Sequence, residues 1–309
     1  MLLILKRVTK SWVALWTVVF LSIALFTGCQ QAHAPQADLA SVNAYTAWTM
    51  EGAQGTLFVI GGGSRSLELM SGVTRRMPSM DASVVVLPMA SSEPDTSMFY
   101  GIKPFLELGC TQVQGLQVRS ETCTEEELEA IRSAAVIYLC GGDQARFMEA
   151  AKGSVSEAIR EAFRRGAIIS GSSAGAAMMS RVMITGDQQL EPEYESTYRR
   201  LREGNAVYEA GLGLIEGAII DQHFVERSRY NRAFTALHDH AGWPVIGIGE
   251  STALVLEPAG ASVEGEGHVV VFHPAETRVD SMGQIALHDV RLDFYLSGDD
   301  IEMPHLASE

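Results

Sequence analysis

Ala167-Ile168-Ile169-Ser170-Gly171-Ser172-Ser173-Ala174-Gly175-Ala176-Ala177-Met178-Met179 is the stretch that decides the fold. It opens as an all-apolar strand (Ala167–Ile169), turns on glycine and serine, and continues as a helix-compatible run. A short strand that is apolar at every position has no solvent face, so helices must cover both sides of its sheet. Thr56–Ile60, Ser83–Leu87, Gln112–Val118 and Ala135–Leu139 are further short strand-like runs, the second carrying a valine triplet and the last, like Ala167–Ile169, apolar throughout. Helical stretches separate them, one around Ser97–Leu108 and an acidic one opened by Thr122 or Thr124. Glu125–Glu127 fill the first turn of the latter, where the helix dipole favours anions. The expectation is an α/β fold built on a mostly parallel, doubly wound sheet. After Glu250 the pattern changes to short strands such as Ser251–Leu256 and Gly267–His273, which predicts a C-terminal antiparallel extension.

In open parallel sheets, ligands sit beyond the carboxyl ends of the strands. The segments at those ends are Gly61-Gly62-Gly63-Ser64, Pro88-Met89-Ala90, Gly141-Gly142-Asp143-Gln144, Gly171-Ser172-Ser173-Ala174-Gly175, Asp221-Gln222-His223 and Gly249-Glu250. Glycine and polar groups at nearly every strand end imply one shared site. Gly171–Gly175 matches G-x-S-x-G between strand and helix, the pattern of a nucleophile elbow with Ser173 at its centre. The Ala174 N–H would then point where an oxyanion forms. The same residues also suit an ordinary Gly/Ser turn.

A serine hydroxyl needs a base within hydrogen-bond reach. Of the eight histidines, His33 and His305 lie near the chain ends, and His268, His273 and His288 lie in the late β-rich region. His238 and His240 end a helix as an H-x-H pair without a nearby third ligand, so the reading asks for no metal. His223 alone follows a strand-like run (Ala218–Ile220) and precedes a helical one (Glu226–Leu237), which predicts it at the sheet edge that carries Ser173; a polar cap residue is the alternative. Glu250, at the end of Val245–Gly249, suits the carboxylate behind the imidazole or a surface glutamate. Arg227, Arg229 and Arg232 crowd together just after His223, Arg229 and Arg232 on one helix face. Guanidinium groups beside a nucleophile suit recognition of carboxylates, and they equally suit a solvated helix face.

The net charge of −15 excludes nucleic acid, whose phosphates would be repelled. At the N-terminus, Lys6, Arg7 and Lys10 precede an apolar run from Trp12 to Phe26 and then Thr27-Gly28-Cys29. This resembles a lipoprotein signal peptide cut before Cys29, and Gln30 fits sorting to the outer membrane; an uncleaved anchor is the alternative, although the run is short for a span of about 20 residues. The organisation expected is a signal peptide over 1–28, a Gln/Ala/Ser/Pro-rich tether over 29–50 and one hydrolase domain over 51–309. Apart from Cys29, an odd count of cysteines leaves at most one disulfide, with Cys110 and Cys123 as the pair to test.

Gly-Gly-Asp-Gln at 141–144, Gly-Ser-Ser-Ala-Gly-Ala at 171–176, Asp-Gln-His-Phe-x-x-Arg-x-Arg-x-x-Arg from Asp221 to Arg232, and Gly-Ile-Gly-Glu-Ser-Thr-Ala at 247–253 together resemble the cyanophycinases, relatives of peptidase E on a glutamine-amidotransferase-like fold. The resemblance implies Ser173 as nucleophile, His223 as base and Glu250 as third member, with oxyanion donors at Ala174 and Gly142. It further implies a substrate pocket of Gln144, Asp221, Gln222, Arg227, Arg229 and Arg232, and no cofactor. The chain departs from the family at Gly249, where members carry Asp. The function implied is that of an exported, lipid-anchored serine peptidase acting on a polypeptide rich in Asp and Arg: cyanophycin, cleaved to β-aspartyl-arginine dipeptides. Short aspartyl or isoaspartyl peptides as substrates, and a non-catalytic carboxylate-binding lipoprotein, are the competing readings. Contact with the membrane is expected through the lipid alone, and a homodimer is left open.

Overall fold

Apolar strands and amphipathic helices alternate from Thr56 onward in the computed structural model, which describes residues 48–301 apart from Pro192 and Tyr194. The first part of the chain runs β1 (Thr56–Ile60), α1 (Leu67–Thr74), β2 (Val84–Leu87), α2 (Pro94–Glu107), β3 (Val113–Gly115), α3 (Glu125–Arg132), β4 (Val136–Leu139), α4 (Gln144–Ala151), α5 (Ser154–Arg164), β5 (Ile168–Ser172) and the short α6 (Ala174–Ala177). It continues through β6 (Val182–Gln188), β7 (Ala206–Ala210), β8 (Ile219–Asp221), α7 (Tyr230–Asp239), β9 (Val245–Ile248), β10 (Thr252–Glu257), β11 (Gly260–Gly265), β12 (Val269–Phe272), β13 (Glu276–Val279), β14 (Ile285–His288) and β15 (Leu292–Tyr295).

The main sheet has the order β11-β10-β1-β5-β4-β2-β3. Its β1, β5, β4, β2 and β3 are parallel, and β10 and β11 join antiparallel at the β1 side. Because side chains alternate along a strand, each strand feeds two cores. Leu57, Val59, Val85, Leu87, Ile137, Leu139 and Ile169 pack with residues of α3, α4, α5 and α6. Phe58, Ile60, Val84, Val86, Val136 and Tyr138 pack with residues of α1 and α2 on the opposite face. Both faces being covered is what allows β2 and β4 to be buried at every position. Of the two possible caps for α3, Thr124 is the one used, in a reciprocal capping box with Glu127.

Three expectations change. β8 and β9 are not strands of the main sheet but form a second one, ordered β15-β12-β9-β8, with β8 and β9 parallel. The reason is that a strand has two ladder edges, and β1 has already given one to β5 and the other to β10. The domain also begins earlier than residue 51. Trp48 is buried, and the Met50 N–H donates to Leu214 O at 3.1 Å, so 48–50 belong to the core rather than the tether. Cys110 and Cys123 are both free thiols. They pack on opposite faces of the main sheet, which keeps them from pairing. Cys29, the signal segment and most of the tether lie outside the described residues. Among the described residues no helix is long and apolar enough to cross a membrane.

Candidate active site

Ser173 leaves β5 with φ 57° and ψ −113°, a backbone conformation that a residue with a β-carbon adopts only under strain of about 1–3 kcal/mol. The flanking glycines make this turn possible. A Cβ on Gly171 would stand 2.5 Å from Gly175 O, and one on Gly175 would stand 2.2 Å from Leu139 O. The Ser173 N–H donates to Ile60 O at 3.0 Å, tying the elbow to the end of β1.

His223, two residues beyond Asp221 at the end of β8, also has positive φ (47°), and its N–H donates to Gly61 O at 2.6 Å. The ring bridges the other two members. Its Nε2 lies 2.7 Å from Ser173 Oγ and its Nδ1 lies 2.6 Å from Glu250 Oε1. A carboxylate only accepts, so Nδ1 carries the proton toward Glu250 and Nε2 is left to accept from the serine hydroxyl. Burial lowers the His223 pKa below its ordinary value, the Glu250 hydrogen bond opposes this, and the positive charge of Arg227 lowers it further. The imidazole is therefore neutral at neutral pH, the form a general base needs.

The Gly61–Gly63 turn is the back wall of this arrangement, a role that a glycine cluster in a sequence does not disclose. A Cβ on Gly62 would stand 2.2 Å from His223 Cε1, and one on Gly63 would stand 2.6 Å from Glu250 Cβ. Glu250 is held at its backbone, whose N–H donates to Glu226 Oε2 at 3.0 Å. Glu226 is thus a supporting residue that sequence reasoning passed over as one charge of a helix. Gly249 leaves Glu250 in place beside His223, so the departure at that position does not displace the carboxylate.

For an oxyanion, the Ala174 N–H opens α6, where no preceding turn supplies an acceptor. Gly142 follows β4 with φ 143°, and a Cβ on it would stand 2.2 Å from Ala90 O. A Cβ on its neighbour Gly141 would stand 3.4 Å from Ser173 Cβ, so this turn borders the nucleophile. Gly142 and Asp143 are exposed. From Asp143 a groove of about 970 Å3 runs over α4 and α5, past Arg146, Glu149 and Lys152 to Glu209.

The expected substrate pocket is brought together only in part. Asp221 is 1% exposed and Arg229 and Arg232 are each 2% exposed, which closes them to a ligand. Arg232 grips Asp221 through Nε at 2.8 Å and through a short second bond, while Arg229 reaches Asp221 at 3.4 Å and both Gln222 oxygens. Burial alone would raise the Asp221 pKa, but the two guanidiniums, Arg232 first, hold it below its ordinary value. These arginines therefore brace the loop that carries His223 instead of meeting substrate. Gln144 is buried as well, and its amide nitrogen donates to Ile184 O and Thr185 O, both at 2.8 Å, fastening β6 to α4. Arg227 is the exception. It is half-buried, close enough to His223 for its charge to be felt, and no carboxylate among the described residues pairs with it. His238 stands apart from the site, with Nδ1 2.7 Å from Thr277 Oγ1.

Residues 57–263 match the family model described as peptidase family S51. The chain belongs to that family. It is a serine-type peptidase. Among curated relatives, this S51 peptidase is 31% identical over 265 residues to the cyanophycinase of a Nostoc species, covering 81% of this chain and 86% of the relative. It is 32% identical over 230 residues to the cyanophycinase of Geminocystis herdmanii, covering 71% and 82%. Among solved structures, a peptidase from an acI-B1 Actinobacterium superposes with a TM-score of 0.60 at 20% identity, over 82% of this chain and 98% of that one. A putative peptidase E from Listeria monocytogenes gives 0.50 at 17% identity, over 70% and 100%. At these identities the two structures bear on the fold, and the fold agrees.

Proposed function

We propose that this S51 peptidase hydrolyses cyanophycin, multi-L-arginyl-poly-L-aspartate, to β-aspartyl-arginine dipeptides, with Ser173 as nucleophile, His223 as base and Glu250 behind it. The observation that carries the hydrolytic part is the continuous Ser173–His223–Glu250 hydrogen-bond chain on an elbow whose flanking positions admit only glycine. The support for the substrate is that the curated relatives are named cyanophycinases.

In this reading Ser173 Oγ attacks an aspartyl carbonyl carbon while its proton passes to His223 Nε2. The carbonyl oxygen takes the negative charge and turns toward the Ala174 and Gly142 N–H groups. Glu250 stabilises the imidazolium, which then returns the proton to the leaving amine nitrogen. Water, deprotonated by the same imidazole, attacks the acyl-serine ester, and release of the acid restores Ser173. Arg227, on the His223 side, is placed to hold a substrate carboxylate. Incubating the purified protein with cyanophycin and resolving the products by mass spectrometry tests the reading. Dipeptides are expected, and an intact polymer with turnover of short aspartyl peptides would transfer the proposal to the peptidase E-like alternative.

The pH profile is set by the histidine. Neutral His223 is the active form and protonation removes it, so kcat/KM rises with pH through the His223 pKa. Because that pKa is lowered, the acid limb has its midpoint below about 6.5. The Glu250 hydrogen bond opposes the lowering, so Glu250→Gln moves the limb to still lower pH. It also cuts kcat on the order of 10³–10⁴-fold, as loss of the orienting carboxylate does in other triads.

We also propose that the protein is exported and held to the cell envelope, at the outer membrane, by a lipid on Cys29. The support is the basic start, the apolar run from Trp12 to Phe26 and the small residues before Cys29. Such an enzyme would meet a polymer too large to import. Labelled palmitate is expected to enter the wild-type chain and not Cys29→Ser; equal labelling of both would end this part of the proposal.

A further inference from the structure

With Arg229 and Arg232 committed to Asp221, a further guanidinium near the back wall of the site is that of Arg65. It comes just after the Gly61–Gly63 turn that backs the His223 ring and the Glu250 side chain, and Ser64 between them accepts a hydrogen bond from Ser251 Oγ at 3.0 Å. From the end of β1 the Arg65 side chain reaches the Tyr138 hydroxyl on β4, donating from one terminal nitrogen at 2.5 Å. In the sheet, β5 lies between β1 and β4, so this side chain spans the end of the strand that delivers Ser173. The Ser172 side chain, one residue before the nucleophile, borders the same phenol. Tyr138 is fully buried and held by Phe105 in an edge-to-face contact with centroids 5.8 Å apart, which fixes the guanidinium from one side.

The other side of that guanidinium has no anion. Arg65 is half-buried, and among the described residues its charged or polar partners are Tyr138 and, at longer range, Cys140, with no Asp or Glu. Elsewhere in this protein, partly buried guanidiniums such as Arg76 and Arg132 are neutralised by glutamates. A guanidinium offers five donors in a planar fork, and a phenol accepts at only one end. The remaining donors match a carboxylate presented at the mouth of the site.

We infer that Arg65 is a specificity residue that binds a free carboxylate of the substrate with the donors that Tyr138 leaves open. The inference rests on Ser173–His223–Glu250 being the hydrolytic site.

The test uses a matched pair of ligands, aspartyl-arginine dipeptide with free carboxylates and the same dipeptide with every carboxylate amidated. Each is titrated for protection of Ser173 against a fluorophosphonate probe. In the wild type the acid is expected to protect at concentrations at least ~10-fold below the amide, and Arg65→Gln to lower that preference by roughly 10-fold, the discrimination expected of a charge-assisted hydrogen-bond pair. The rate of probe reaction without ligand is measured for each variant, and protection by acid and amide is read relative to it. Arg65→Lys is expected to keep part of the preference. An acid preference that survives Arg65→Gln intact overturns the inference, as does an equal loss of protection by acid and amide. Should Ser173 fail to react with the probe in the wild type, the hydrolytic reading is what fails. Calorimetric titration of wild type and Arg65→Gln with the same pair of ligands then still decides whether Arg65 binds a carboxylate.

Discussion

Ser173→Ala is expected to abolish the proposed dipeptide release from cyanophycin, with kcat falling on the order of 10⁶-fold, the scale on which loss of the nucleophile acts in other serine peptidases. The residual rate reflects binding and the oxyanion donors alone. Ser172→Ala serves as the control, because Ser172 is buried at the end of β5 and the hydroxyl that His223 Nε2 reaches is that of Ser173. Its effect is expected to be small by comparison. His223→Ala is expected to match Ser173→Ala instead of adding to it, since the two act as one unit and the double variant removes nothing more. Fluorophosphonate labelling offers an independent readout: wild type reacts, and both single variants do not. Full dipeptide release by Ser173→Ala would remove the nucleophile from the scheme entirely.

Asp221→Ala carries the largest expected effect on stability. Its carboxylate is buried between two buried guanidiniums, and deleting it removes the anion that both share in a site closed to water. Breaking a buried pair in this way costs about 3–5 kcal/mol. The fall in the denaturant midpoint, at unchanged m, measures it. The pH dependence has a definite sign. The folded-state pKa of Asp221 is depressed below its unfolded value, so its contribution is complete above the ordinary carboxylate pKa. That contribution is lost as pH falls through the depressed value. The gap between wild type and Asp221→Asn therefore narrows only below about pH 4. A gap independent of pH would show that shape, not charge, holds the trio. Activity is expected to fall as well, because the strained loop ending in His223 is anchored through Gln222 and Arg229.

How much of the fold and the site was legible in the sequence depended on the kind of interaction. The elbow could be read because its constraint is local: the strand, the flanking glycines and the following helix lie within thirteen residues, and the clash that excludes side chains at Gly171 arises within the turn itself. His223 and Glu250 could be selected by their place at strand ends. Their spacing from Ser173, 50 and 77 residues, could not announce a 2.7 Å or a 2.6 Å contact. The arginines were the least legible. In the chain, Arg227, Arg229 and Arg232 look alike, and Arg65 looks like a stray charge after a glycine turn. Their fates depend on which side chains the fold buries beside them.

The Ala167–Met179 stretch marks the division. By itself the sequence determined that this segment is strand, turn and helix within a sheet covered on both faces, because apolar periodicity and glycine placement act over one or two turns of chain. It determined, too, which residue types stand ready for acyl transfer. Only the tertiary structure decided that His223 and Glu250 arrive from a second sheet. It alone showed that Gly62 and Gly63 make room for them, and that two arginines are sealed against Asp221 while Arg65 and Arg227 stay free of carboxylates among the described residues. The physical reason is that burial and pairing are properties of the packed whole. A guanidinium becomes a brace or an anchor according to the anion, or the opening, that distant segments place against it.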